Sequence, residues 1–170
     1  MARSIGWAGA AIALAALAAC GKSNTANTAA PSQPAAPEAA APPALTDAQK
    51  KTLVAQLPAS YQSADLANGE AKFAVCKSCH TNAQGGADMV GPNLWGIFGR
   101  KAGAEAGFSY SDDMKSAGWK WDADRLDKWI TNPKAVLPGT KMTFVGLSDP
   151  NDRRDVIAYL KVSTSPPPTT

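Results

Sequence analysis

Two cysteines and a histidine lie within one short stretch of the chain, Cys76-Lys77-Ser78-Cys79-His80. This C-x-x-C-H spacing is typical of the covalent attachment of a c-type haem. Two thiols at this separation add across the two vinyl groups of one haem, and the adjacent imidazole is held beneath the iron as its proximal ligand. A gap that was one residue longer or shorter would put a sulfur or the imidazole out of reach. The motif therefore predicts one covalently bound haem c on Cys76, Cys79 and His80.

Two other kinds of site use closely spaced cysteines, and the surrounding sequence disfavours both. A redox-active C-x-x-C pair needs a βαβ setting, whereas the residues around Cys76 have helical spacing and are followed by a Gly-rich stretch. A structural zinc site needs a fourth ligand. His80 is the only histidine, and the third cysteine, Cys20, lies far away along the chain. Haem attachment is the interpretation that remains.

The lack of a second histidine limits what can bind the other face of the iron. Ligation by two histidines of one chain is impossible, so the sixth ligand is a methionine, a lysine, a terminal group, water or nothing. Beyond Met1, the candidate methionines are Met89, Met114 and Met142.

Further motifs follow the C-x-x-C-H sequence in a fixed order. They are GPNL at 91–94, GIFGRKAG at 96–103, GFSY at 107–110, Trp121, NPK at 132–134, PGTKM at 138–142 and IAYL at 157–160. Taken together they resemble class I cytochrome c of the mitochondrial and alphaproteobacterial kind, over residues 69–161. The resemblance implies an all-α fold wrapped around one haem, and a carrier of single electrons that is not an enzyme.

By this resemblance, Met142 is the axial sulfur ligand, and the local sequence agrees. Pro138-Gly139 favours a turn and Gly146 follows shortly after, which predicts a loop that can lie over a flat cofactor. Thioether ligation suits an iron that changes its oxidation state, and His/Met ligation raises the reduction potential. Met89 lies in a Gly-rich polar loop typical of a surface, and Met114 lies in a predicted short helix, where an apolar side chain is usually packing.

The resemblance also implies roles for residues around the haem. The carbonyl of Pro92 would accept the ring N–H of His80 and fix its orientation. Four side chains would hydrogen-bond the propionates or the water near Met142, and Phe144 would shield the haem edge. Those four side chains are Arg100, Tyr110, Trp121 and Thr140. Tyr110 and Trp121 could equally be core aromatics.

The chain departs from the mitochondrial pattern at several positions. Met114 replaces a polar Asn near a propionate, and Trp129 replaces a Tyr beside the methionine ligand. Of the lysines that ring the exposed haem edge in the mitochondrial form, Lys134 and Lys141 remain, whereas Val75 and Ala135 replace others.

The N-terminus has the features of an export signal. Arg3 supplies a positive charge, and the apolar stretch from Ile5 to Ala19 is shorter than the ~20 residues that span a bilayer. It ends in Leu-Ala-Ala-Cys at 17–20, which resembles the lipobox of bacterial lipoproteins, so Cys20 is the predicted lipidation site. The alternatives are an ordinary signal that is cut after Ala19 and an uncleaved anchor. All three hypotheses (the lipobox, the ordinary signal and the uncleaved anchor) predict that the rest of the chain lies outside the cytoplasm. The lipobox predicts a membrane-anchored protein that faces the periplasm.

The composition divides the chain into five parts. We expect a signal peptide at 1–19, a lipidated cysteine with an Ala/Pro-rich linker at 20–45, an accessory helical segment at 46–62, the cytochrome c domain at 63–163 and a disordered tail at 164–170. Capping residues predict helices that begin after Thr46, Asp122 and Asp149, and apolar spacing predicts another over about 64–76. No strand pattern of comparable strength is present.

The charge pattern excludes one class of partner and leaves the others open. The chain has 17 Lys and Arg against 14 Asp and Glu, and charges of both signs alternate, so nucleic-acid binding is not expected. The expected partners are a quinol–cytochrome c oxidoreductase and a terminal oxidase or another acceptor. A haem subunit of a larger dehydrogenase is an alternative. A haem peroxidase is disfavoured, because it needs an open iron site and a distal acid–base group, and the only histidine is already used.

Overall fold

The computed structural model describes residues 44–168. Six α-helices account for most of its regular structure: α1 (Asp47–Val54), α2 (Leu66–Phe73), α3 (Asp112–Ser116), α4 (Ala123–Thr131), α5 (Pro133–Val136) and α6 (Pro150–Ser163). Short 3-10 turns span Ala59–Tyr61 and Cys76–Ser78. Within 44–168 the only β-type pairing is one isolated bridge between Lys101 and Lys120. The predicted all-α fold is confirmed.

Local sequence explains where the main helices begin. The side chain of Asp122 accepts a hydrogen bond from the Arg125 backbone N–H, and Asp149 does the same for Asn151. These bonds satisfy N–H groups that the first turn leaves without a partner. The predicted capped starts of α4 and α6 are therefore confirmed. The predicted helix over 64–76 is shorter, because α2 ends at Phe73 and the chain turns into the 3-10 segment that carries the cysteine motif.

Helices α2 and α6 cross at a glycine. A Cβ at Gly69 would overlap the backbone carbonyl of Asp155 and lie 2.9 Å from Cβ of Tyr159. One turn further along α2, the ring of Phe73 packs against Tyr159 with centroids 5.4 Å apart. The close crossing buries Phe73 and Val156 completely, and Cys76, at the start of the cysteine motif, packs against the core that they belong to.

The segment before the cytochrome-like motifs packs on the same core. Thr46 and Gln49 form the predicted capping box of α1, and Leu53, Val54 and Leu57 are buried. Tyr61 is also buried, and its hydroxyl donates to the Asp124 carboxylate at 3.1 Å. Burial and this neighbouring carboxylate raise the pKa of Tyr61 far above its ordinary value. The segment is thus joined to the first turn of α4.

The C-terminal boundary differs from the prediction that the tail begins at residue 164. Thr164 is fully buried, and its carbonyl accepts the N–H of Gly96 at 2.7 Å while its hydroxyl donates to the Leu160 carbonyl at 2.7 Å. These bonds make Thr164 part of the packed domain. Residues 1–43, which include the predicted signal, Cys20 and nearly all of the linker, lie outside the described residues, as do residues 169–170. Between 44 and 168, no helix is both long and apolar enough to cross a membrane.

Candidate functional site

The helices and loops of residues 44–168 surround a cavity of about 460 Å³, a volume typical of a cofactor site. Its lining is predominantly apolar and includes Phe73, Ile97, Leu126, Val156 and Leu160. All nine residues predicted to bind a haem line it too: Cys76, Cys79, His80, Pro92, Arg100, Tyr110, Trp121, Thr140 and Met142. The fold therefore brings together residues that are up to 66 positions apart along the chain.

The 3-10 turn Cys76–Ser78 presents the two thiols and the imidazole on the cavity wall. The Cys76 carbonyl accepts the backbone N–H groups of both Cys79 and His80, at 3.0 and 2.9 Å. Cys76 and Cys79 form no disulfide with each other or with another residue of 44–168. Burial raises the pKa of the Cys76 thiol to about 11, the opposite of what activates a redox thiol. Among residues 44–168, no group of three or more His, Cys, Asp or Glu is placed to hold a metal ion.

The ring of His80 is fixed in one orientation. Its Nδ1 lies 2.7 Å from the carbonyl oxygen of Pro92. A carbonyl only accepts hydrogen bonds, so Nδ1 carries the proton and Nε2 keeps its lone pair. Burial lowers the pKa of His80, which favours the neutral imidazole that an iron needs. Gly91 packs against the ring, where a Cβ would overlap it, and the Gly91 N–H donates to the Cys79 carbonyl at 2.8 Å.

Two of the three candidate methionines line the cavity. Met142 is one of them. Its backbone N–H donates to the Thr140 hydroxyl at 3.1 Å, and its sulfur lies 3.2 Å from the indole nitrogen of Trp129. Met114 also lines the cavity and is buried in α3. Met89 is 49 % exposed and does not line the cavity.

Arg100 is held by its own chain from three directions. Its guanidinium donates to the carbonyls of Asn93 and Trp95, at 2.8 and 3.2 Å, and pairs with the Glu105 carboxylate. Glu105 lies in a loop with no periodic pattern, so nothing in the sequence marks it as the partner of Arg100. Burial raises the pKa of Tyr110, which keeps its hydroxyl protonated as a potential donor.

Trp121 is positioned through its backbone and its ring. Its N–H donates to the Arg100 carbonyl at 2.9 Å, and its carbonyl accepts the Gly99 N–H at 2.7 Å. Its ring meets that of Trp129 edge to face, with centroids 5.3 Å apart. Such pairs add about 0.5 to 1.5 kcal/mol beyond the area that they bury. Trp121 is therefore a core aromatic, and it also lines the cavity.

Known proteins are similar in sequence to the part of the chain that forms this cavity. The family model for cytochrome c matches residues 66–164. The chain belongs to the cytochrome c family. It is 50 % identical over 101 residues to cytochrome c2 of Rhodomicrobium vannielii, covering 59 % of this chain and 81 % of that protein. It is 45 % identical over 108 residues to cytochrome c of Chlamydomonas reinhardtii, covering 63 % of this chain and 96 % of that protein.

A solved structure supports the fold. Cytochrome cH from Methylobacterium extorquens matches with a TM-score of 0.54 and 47 % identity, covering 57 % of this chain and 97 % of that one. The class I cytochrome c fold and the single covalently bound haem c are thus confirmed. The protein is a carrier of single electrons, not an enzyme, and it exchanges electrons with redox partners.

Proposed function

We propose that this cytochrome is a membrane-tethered carrier that takes electrons from a quinol–cytochrome c oxidoreductase and passes them to a terminal oxidase or another acceptor. The observation that supports it most is the convergence of both cysteines, the oriented His80 and Met142 on one apolar cavity. Such a site suits a buried redox centre with both axial positions filled.

The cavity residues fit a haem c in number, type and chemistry. Cys76 and Cys79 would form the two thioether bonds, and His80 Nε2 and Met142 Sδ would be the axial ligands. When bound, the haem supplies an iron that gains or loses one electron. Arg100, Tyr110, Trp121 and Thr140 would hydrogen-bond its propionates or the water near Met142.

The chain's own residues adapt this site to electron transfer. The apolar lining excludes water, which reduces the rearrangement that accompanies a change of charge. Pro92 orients His80, and Thr140 and Trp129 hold Met142, so neither ligand has to move when the charge changes. With His80 used as a ligand, the chain has no second histidine to act as a peroxidase-type acid–base group.

The proposed tether is a lipid on Cys20 joined to the domain through the linker at 20–45. An Ala/Pro-rich segment of that length reaches about 80 Å when extended at ~3.1 Å per residue. It would let the domain meet partners in the same membrane, facing the periplasm. Tethering replaces three-dimensional diffusion with a high effective concentration. That would compensate for weak long-range steering by a domain with nearly equal numbers of acidic and basic residues.

The proposal is tested on the intact holoprotein. Its mass should include one haem that acid–acetone does not extract, and host membranes given quinol should reduce it. Replacing both Cys76 and Cys79 by Ala should give apo or unfolded protein. A second haem, bound zinc, or a haem that the membranes never reduce would contradict it.

A further inference from the structure

A largely buried cation forms part of the cavity wall. Among residues 44–168, the Lys and Arg side chains that line the cavity are those of Arg100 and Lys141, and Lys141 is exposed to solvent. The Arg100 side chain is 15 % exposed. Water and salt screen a charge in such a position less than they screen a charge at the surface. Arg100 is therefore the cation of this wall that acts most strongly on a group bound in the cavity.

The carboxylate of Glu105 pairs with this cation without lining the cavity itself. The Glu105 side chain is 25 % exposed, and its carboxylate accepts from the same Arg100 nitrogen that donates to the Trp95 carbonyl. The other terminal nitrogen donates to the Asn93 carbonyl. Three of the five guanidinium N–H groups are thus engaged with residues of 44–168, which leaves two for a group in the cavity. Glu105 reaches the cavity through Arg100.

The opposing charges of this pair both act on a second residue of the cavity wall. Burial raises the pKa of the Tyr110 hydroxyl, the Arg100 charge lowers the same pKa, and the Glu105 charge raises it. A neutral carbonyl partner would leave the positive charge of Arg100 in place, whereas a carboxylate partner offsets it. Glu105 therefore changes the charge that the wall presents, in addition to holding the guanidinium in position.

We propose that Glu105 lowers the reduction potential of the haem by neutralising the Arg100 cation. This inference rests on the proposed function, because it takes the haem to lie in the cavity with a propionate near Arg100. Reduction moves one electron from the donor complex to the iron, breaks no bond and leaves the site with one positive charge fewer. A nearby cation favours that reduced state, and a carboxylate paired with the cation weakens the preference. The reduced protein is then a stronger donor to its acceptor.

Glu105→Gln removes the charge and keeps an oxygen that can accept from Arg100. The reduction potential of the full-length holoprotein is measured by optical redox titration. The equilibrium constant for reduction should rise at least about threefold, which is about 28 mV for one electron at ~59 mV per tenfold change. Glu70→Gln is the matched control, because it makes the same change at a carboxylate that is 62 % exposed and does not line the cavity. It should change the constant by less than about 1.5-fold.

A double-mutant cycle distinguishes action through Arg100 from direct action on the haem. In an Arg100→Gln background the partner of Glu105 is gone, so Glu105→Gln should shift the logarithm of the constant by less than about half as much. Equal shifts in the two backgrounds would show that Glu105 acts without Arg100 and would overturn the proposal. Glu105→Ala also removes the charge, and it should raise the constant in the same direction if the Gln variant does not take up haem.

Measurements on the unmodified chain separate failure of this inference from failure of the proposed function. If that chain binds no haem, or if host membranes given quinol never reduce it, the proposed function is wrong. If it binds one haem and is reduced, but Glu105→Gln and Glu105→Ala have its potential, the role of Glu105 alone is wrong. A purely structural Glu105 would lower the midpoint of denaturant unfolding in these variants and leave the potential unchanged.

Discussion

The indole nitrogen of Trp129 lies 3.2 Å from the sulfur of Met142 and donates a hydrogen bond to it. Trp129 is on α4 and Met142 is on the loop that precedes α6, so the bond fixes the loop to a helix. Trp129 is itself buried and packed edge to face against Trp121. The proposed axial sulfur is therefore positioned by a rigid aromatic pair.

Trp129→Phe should lower the reduction potential and weaken the retention of Met142 on the iron. The indole N–H draws electron density from the sulfur, which favours the reduced state, and a hydrogen bond of this kind contributes about 0.5 to 1.5 kcal/mol. Potentiometry and the sulfur-to-iron band of the oxidised protein measure the two effects. Trp119→Phe is the matched control, because the Trp119 indole nitrogen has no hydrogen-bond partner among the described residues. Equal shifts in the two variants would contradict the role of Trp129.

Met142→Ala should abolish the sulfur-to-iron band at the red end of the spectrum and lower the reduction potential. Met114→Leu is a demanding control, because Met114 lines the same cavity and a nearly isosteric leucine preserves its packing. Met89→Leu controls for an exposed methionine. Both control variants should retain the band. If Met114→Leu loses it instead, Met114 is the ligand.

The parts of the site that the sequence predicts are those specified by short-range covalent or helical spacing. The C-x-x-C-H motif spans five residues, and the capping residues Asp122 and Asp149 bond backbone N–H groups two or three residues further along the chain. The contacts that could not be predicted join residues that meet only in the folded chain. The amide of Asn68 donates to Asp155 at 2.8 Å, and the Gly96 N–H donates to Thr164, and neither pair leaves a periodic signal. The contact with Gly96 forms only in the folded chain, and it joins Thr164 to the packed domain.

Gly69→Ala should destabilise the protein, because its methyl group would overlap the Asp155 carbonyl where α2 and α6 cross. The helices would have to separate, and overpacking of this kind typically costs about 1 to 3 kcal/mol. Denaturant unfolding of the holoprotein measures the change. Ala67→Ser, at an exposed position on the same helix, should stay within about 0.5 kcal/mol. An unchanged unfolding midpoint in Gly69→Ala would mean that the crossing is looser than the structure shows.

Asp155 should make the stability depend on pH. Burial alone would raise the pKa of this carboxylate, but hydrogen bonds from Asn68, Arg154 and the Asp65 backbone N–H outweigh burial and hold the pKa below its ordinary value. The unfolded chain therefore binds the proton more tightly. The stabilisation is fully present above the unfolded pKa of about 4 and is lost as the pH falls through the folded value.

Asp155→Asn should therefore cost about 2 to 4 kcal/mol near neutral pH and progressively less in acid. The free energy of unfolding measured from about pH 7 down to about pH 2 gives the slope. Asp47→Asn is the control at an exposed carboxylate whose one salt-bridge partner within residues 44–168 is Lys50, and it should change stability by less than about 1 kcal/mol at any pH. A constant difference between wild type and Asp155→Asn across the pH range would show that Asp155 acts through packing alone.

Cys20→Ser tests the proposed tether. If Cys20 is lipidated, labelled fatty acid should enter the native chain and be absent from the variant. A lipoprotein cysteine carries several acyl chains, and stable anchoring needs more than one, so the variant should be released as a soluble periplasmic domain or remain as an uncut precursor. Where export still succeeds, the haem spectrum should be unchanged, because every proposed haem ligand lies beyond residue 75.

The same variant separates the effect of the anchor from that of the fold. Electron transfer from the quinol complex in membranes should fall on release, because the effective concentration of the domain is lost. Shortening the segment from Ala26 to Ala44 should have the same effect only once the domain can no longer reach both partners. If the mature N-terminus still contains Arg3 and Ile5, the chain has an uncleaved anchor and the lipidation proposal is wrong. The electron-carrier function would survive that result, because it depends on residues 66–164.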